Sequence, residues 1–106
     1  MKQYSVKITV KALVDMDAIY GYIAETLLEP ETAMKQYDRI VTAIESLCSL
    51  PERHPLLDAQ PECDLGMRRL LIDNYVVIYV VLENTVTVLR VFYSSSDFVS
   101  RLRDGR

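Results

Sequence analysis

Residues 3–10, QYSVKITV, alternate in polarity: Tyr4, Val6, Ile8 and Val10 against Gln3, Ser5, Lys7 and Thr9. That is the period of a half-buried strand. The period then changes. Ala12, Leu13, Met16, Ile19, Tyr20, Ile23, Ala24 and Leu27 recur three and four apart, which predicts an amphipathic helix over 11–28. Asp15 and Asp17 fall in its first turns, where the positive end of the helix dipole favours them. Glu29-Pro30-Glu31 breaks this helix and begins another, because a first-turn proline lacks only an N–H that had no intrahelical partner. Ala33, Tyr37, Ile40, Val41, Ile44, Leu47 and Cys48 form the second apolar stripe, which ends at Pro51. The short connection makes residues 11–50 an antiparallel helical hairpin.

Residues 51–65, PERHPLLDAQPECDL, hold three of the four prolines and read as a loop, lying on the body through Leu56 and Leu57. Three strand-like runs follow: 67–72, 75–82 and 85–93. The two-residue turns Asp73-Asn74 and Glu83-Asn84 join them into an antiparallel meander. Asp97 is placed to cap a short terminal helix through Leu102. The fold class expected is α+β over 1–106, with an N-terminal strand, a helical hairpin and a three-stranded meander in one sheet packed on the helices.

The central run, YVVIYVVL, is apolar on both faces. Tyr75, Val77, Tyr79 and Val81 point one way, and Val76, Ile78, Val80 and Leu82 the other. A strand of that kind is normally covered on both sides. The hairpin supplies one cover, and no other segment reads as long enough to supply the second. Burying four such side chains is worth on the order of 6–12 kcal/mol, at about 1.5–3 each. The expectation is a partner protein on the face of Val76, Ile78, Val80 and Leu82, or on the opposite face; the alternative is that the C-terminal segment and the 51–65 loop fold over it.

Composition narrows the function classes. At 106 residues, 50% apolar and 25% charged, the chain has the makeup of a single globular domain. Its longest apolar run is too short to span a bilayer, and MKQYSVKITV has no signal-peptide h-region, so a cytoplasmic protein without a membrane partner is expected. Cys48 and Cys63 make no disulfide framework, and with His54 the only histidine a four-ligand zinc site is not in view. No metal or cofactor is expected. The net charge of −3 argues against a general nucleic-acid coat. Only the segment after Tyr93 carries more cations than anions, with Arg101, Arg103 and Arg106 against Asp97 and Asp104; it reads as a local basic site or, preferably, a solvated tail.

Several ordered stretches resemble the RelE/ParE superfamily, the toxins of type II toxin–antitoxin modules, also called plasmid-stabilisation proteins. They are Tyr4 to Ile8 entering Asp17-Ala18-Ile19-Tyr20-Gly21-Tyr22-Ile23; the helix 33–48 closing on Leu50-Pro51-Glu52-Arg53-His54-Pro55; Gly66-Met67-Arg68-Arg69-Leu70; Asp73 to Tyr79; and Val88 to Asp97. The resemblance implies a microbial-ribonuclease-like fold and a co-encoded antitoxin whose C-terminal segment wraps the toxin. It also implies one of two targets, mRNA on the ribosome, which is cleaved, or DNA gyrase, which is bound without nuclease chemistry. A detoxified relative that only binds its partner is the alternative, and a homodimer is compatible with either.

Metal-free RNA cleavage needs an activated 2′-hydroxyl, a stabilised phosphorane and a protonated leaving oxygen. In the ribonuclease branch these tasks fall to basic residues on the first meander strand, after the tyrosine of the second, and just after the last strand. Here Arg68 occupies such a position, with Arg69 beside it and Tyr93 as a donor. Leu70, Val76 and the run Ser94-Ser95-Ser96 stand where further cations would be, and serine supplies no fixed charge. Arg90, amid apolar residues, is expected to pair with a carboxylate. His54 is read as shaping its loop, not as a general base.

Overall fold

The computed structural model describes residues 2–104. Its elements are β1 (Ser5–Ile8), α1 (Val10–Gly21), α2 (Pro30–Glu45), β2 (Arg68–Ile72), β3 (Tyr75–Leu82), β4 (Thr85–Tyr93) and α3 (Phe98–Asp104). The four strands form one sheet in the order β1-β4-β3-β2. β2, β3 and β4 are the antiparallel meander; β1 lies parallel to β4, pairing Ser5–Ile8 with Thr85–Val88.

Thr9 turns the chain from strand to helix. Its hydroxyl accepts the Ala12 amide at 3.1 Å, as an N-cap should, and donates to the Leu89 carbonyl at 2.9 Å. Because α1 starts at Val10, Asp15 is not in its first turn. The reading of Asp15 as a dipole partner is therefore corrected: it serves β4 instead. The stripe expected to run to residue 28 as one α-helix changes at Tyr22–Thr26 into a π-helical turn. Leu28 then reverses the chain with φ +57°, and Pro30 opens α2. Tyr20 and Tyr37 meet edge-to-face across the hairpin, ring centroids 6.2 Å apart.

The main core lies between the hairpin and one sheet face. Met16, Ile40, Ile44 and Leu47 pack on Val77, Tyr79, Val86, Val88 and Val91, with Tyr75 and Val81 at the margin. The face of Tyr75, Val77, Tyr79 and Val81 is thus the one the helices cover.

The second face corrects the expectation of a bare surface. Val76 and Ile78 are fully buried in a second cluster with Leu57 and Phe92, against which Met67, Leu89, Phe98 and Leu102 pack. The loop is able to do this because it folds back along β2: the Leu57 amide donates to the Met67 carbonyl at 2.8 Å and the Arg69 amide to the Pro55 carbonyl at 3.0 Å. Helix α3 supplies the rest. The face stays open at its far end, with Val80 half-buried and Leu82 73% exposed, and at its β2 edge, where Leu71 opposite Val76 is exposed.

Both hairpin turns bend as expected, with Asp73 at φ +54° and Glu83 at φ +57°. Asp73 is further held to α2, accepting from Arg39 at 2.7 and 2.9 Å and from Gln36 at 3.0 Å. These contacts draw its carboxyl pKa below the ordinary value. No helix among the described residues is long and apolar enough to cross a membrane.

Candidate functional site

The arginines decide what chemistry the sheet can offer. Arg68, at the start of β2, donates to the carbonyls of His54 at 2.7 Å and Glu52 at 3.2 Å, and its guanidinium lies 3.8 Å from the Glu52 carboxylate. It ties the Pro51–Arg53 turn to the sheet. Arg69 points the other way, 3.5 Å from the Leu56 carbonyl and 3.9 Å from Asp58. Arg90 forms a fork with Asp15 at 2.8 and 2.9 Å, both side chains largely buried. Asp15 also accepts the Val91 amide at 2.9 Å. This carboxylate serves a β-bulge: Ile78 pairs with Arg90 and Tyr79 with Val88, so Leu89 is the extra residue. Thr9 and Asp15, both from the α1 end of the chain, take up backbone groups that the bulge turns away from the ladder. The carboxylate partner expected for Arg90 is thus Asp15.

Beneath Arg68, Tyr79 is buried and donates its hydroxyl to the Pro51 carbonyl; burial pushes its pKa up to about 12. The His54 ring stands edge-on to Tyr79 at 6.4 Å, with Nε2 buried and without a hydrogen-bond partner among the described residues. Burial, then the charges of Arg53 and Arg68, lower the His54 pKa. This surround disfavours the protonated imidazole.

Tyr93 lies elsewhere, at the opposite end of the sheet. It is 47% exposed and meets Tyr75 edge-to-face at 5.7 Å. Burial raises the Tyr75 pKa, with the neighbouring Tyr93 adding to it. The serine run after Tyr93 makes a turn: Ser94 donates to the Asn74 carbonyl and Ser96 to the Tyr93 carbonyl. Asp97 then accepts the Ser100 amide at 3.3 Å and caps α3. Arg68 and Arg69 are therefore not brought together with Tyr93.

What does gather around Tyr93 is a groove of about 860 Å³. The end of α1 and its π-helical turn form one wall, through Tyr22 and Leu27; the ends of β3 and β4 form the other, through Tyr75 and Tyr93; Arg101 of α3 stands beside it. Tyr22 and Leu27 are both more than half exposed. A π-helical turn widens the backbone by a residue and re-aims the side chains after it, a change often found at functional sites. The Arg101 guanidinium lies over the Phe92 ring, 4.9 Å from its centroid. Its helix is held by Arg103, which grips Glu62 at 2.9 Å and lowers that carboxyl's pKa. The tail read as solvated is thus an ordered helix at Arg101 and Arg103, while Arg106 lies outside the described residues. Sequence reasoning missed Tyr22, Leu27 and Arg101 as one site. Tyr22 alone carried a signal, being an aromatic residue off the apolar stripe of its helix.

The sequence of residues 6–98 matches the family model for the ParE toxin of the type II toxin–antitoxin system parDE. No curated protein sequence matches significantly. Among solved structures, the chain is similar to one from the chromosomal ParDE toxin–antitoxin system of P. aeruginosa. That similarity has 26% identity and TM-score 0.72, covering 86% of this chain and 96% of that one. It is also similar to a chain of the toxin–antitoxin complex RelBE2 of Mycobacterium tuberculosis, at 20% identity and TM-score 0.62, covering 91% and 97%. The archaeal RelE-RelB complex of Pyrococcus horikoshii shares the fold, at 17% identity and TM-score 0.57, covering 88% and 97%.

Proposed function

Because the chain belongs to the ParE toxin family of type II toxin–antitoxin systems, we propose that it arrests growth by binding DNA gyrase, and that a co-encoded antitoxin neutralises it by occupying the groove beside Tyr93. The observation that carries the choice of target is the engagement of the arginines. Arg68 serves the 52–54 carbonyls, Arg90 serves Asp15, Arg39 serves Asp73 and Arg103 serves Glu62. A phosphorane needs several cations converging within a few ångströms of one phosphate. Among the described residues, Tyr93 has only Arg101 near it in the groove, and the serines beside it are spent on a turn. That supports inhibition by binding over RNA cleavage.

The antitoxin reading rests on the family and on the groove. Exposed Tyr22, Leu27 and Tyr93 are amphipathic or apolar side chains around one concavity, the usual makeup of a protein-binding surface. The similar P. aeruginosa structure comes from a ParDE toxin–antitoxin system. Val80 and Leu82, open at the far end of the second face, extend the surface a wrapping partner would cover.

The test is induction of the chain alone and together with its antitoxin. Growth arrest relieved by the antitoxin is expected, with the purified chain inhibiting gyrase supercoiling and leaving ribosome-bound mRNA intact. Normal growth on induction removes the toxin activity and leaves a detoxified, partner-binding relative. Cleaved mRNA with supercoiling unaffected replaces gyrase by the ribosome as target.

A further inference from the structure

Resting on the reading that an antitoxin fills the groove, we infer that Arg101 selects it, by receiving a carboxylate from an acidic segment whose apolar side chains enter between Tyr22, Leu27 and Tyr93. Two charged residues line the groove, Asp15 and Arg101. Asp15 is neutralised by the Arg90 fork and the Val91 amide. Arg101 has no carboxylate partner among the described residues. The one uncompensated charge of the concavity among the described residues is therefore positive, and the rest of the lining is aromatic and apolar apart from the uncharged Thr32, Gln36 and Asn74.

This cation is fixed in place before any partner arrives. Its guanidinium rests over Phe92, a ring that Arg90 contacts as well at 4.6 Å. A cation–π contact does not consume the N–H groups of a guanidinium, whose edge can still give a carboxylate two parallel hydrogen bonds. The neighbouring residues anchor the helix on both sides: Phe98 and Leu102 pack on the Val76–Ile78 cluster, and Arg103 holds Glu62 and the Gln60 carbonyl. A pre-ordered cation spares the partner the cost of immobilising a long side chain. The whole chain carries a net charge of −3, so it does not draw in an acidic partner from a distance. Arg101 accordingly sets register and lifetime at close range, not the encounter rate.

The experiment measures binding of the full chain to the antitoxin encoded beside it, at low and at high salt. Arg101→Glu is expected to weaken binding at least about 30-fold and Arg101→Ala about tenfold, chiefly through faster dissociation, the range for losing a charge-assisted pair. Arg101→Lys keeps the charge but not the fork and falls between wild type and alanine. Reversing the partner carboxylate to arginine in the antitoxin restores binding to Arg101→Glu; thermal melts check that each variant is folded. A folded Arg101→Glu that binds within twofold of wild type overturns the inference. Tyr22→Asp separates the two readings: if it weakens binding while Arg101→Glu does not, the groove stands and its selector is elsewhere. If neither variant matters, the groove is not the antitoxin site and both readings fall.

Discussion

Asp15 shows how much one side chain does here. Its two oxygens accept the arginine fork, and Oδ2 accepts a backbone amide across a bulge as well. Asp15→Ala leaves Arg90 largely buried without its counter-charge and orphans the Val91 amide. A loss of about 3–5 kcal/mol in urea unfolding is expected, the range for breaking a buried pair from one side. Asp15→Ala combined with Arg90→Met is expected to recover part of it, because the stranded charge is then gone. His54 gives the pH dependence. Its folded pKa lies below the ordinary 6.5 because burial, Arg53 and Arg68 oppose protonation. The unfolded chain therefore binds the proton more readily. The stabilisation from neutral His54 is fully present above 6.5 and is lost as pH falls through the folded value. The urea midpoint of wild type is expected to drop from pH 7.5 to pH 5 by more than that of His54→Gln. Equal drops in the two proteins would assign the acid sensitivity to other groups.

At the scale of elements, the helical hairpin turns on an unusual residue. Leu28 sits at φ +57° and is 78% exposed, where glycine or asparagine normally ends a helix. A left-handed conformation costs an L-residue about 1–2 kcal/mol, and asparagine suffers least. Leu28→Asn is expected to raise stability by about 0.5–1 kcal/mol, read from thermal unfolding. Helix α3 behaves as the opposite case. It is short, and by itself marginal, so its order comes from Phe98, Leu102 and Arg103. Leu102→Ala is expected to speed amide exchange in α3 and Val76–Ile78 while leaving β1 and β4 at Val86–Val88 protected. Uniform loss of protection would mean that α3 is integral to global stability and not a separately opening unit.

For the whole molecule, the consequential feature is the coverage of a strand that is oily on both sides. The helical hairpin takes one face, as its apolar stripes foretell. The other is shared by the 51–67 segment and α3, neither of which shows a long apolar stripe. Leu57, Met67, Phe98 and Leu102 lie in short apolar runs of one or two residues among polar residues, glycine and prolines. Val76 and Ile78 are therefore covered by the chain itself and need no partner. The same reorganisation separates Arg68 from Tyr93, since Arg68 pairs opposite Tyr79 and Tyr93 opposite Tyr75 on the central strand.

The elements, their order and both tight turns were legible in the residues, because each is specified by neighbours a few positions apart: alternation in strands, three-and-four spacing in helices, Pro30 and Asp97 at helix starts. The ordered motifs also made the RelE/ParE likeness visible, and with it the toxin family. What tertiary structure decided involves residues far apart in the chain. Asp15 and Arg90 are 75 positions apart, and Glu62 and Arg103 are 41. Pattern along a chain records how polar a position is, not which distant group meets it. Whether an arginine is tied up inside the fold or left facing a groove depends on that meeting alone.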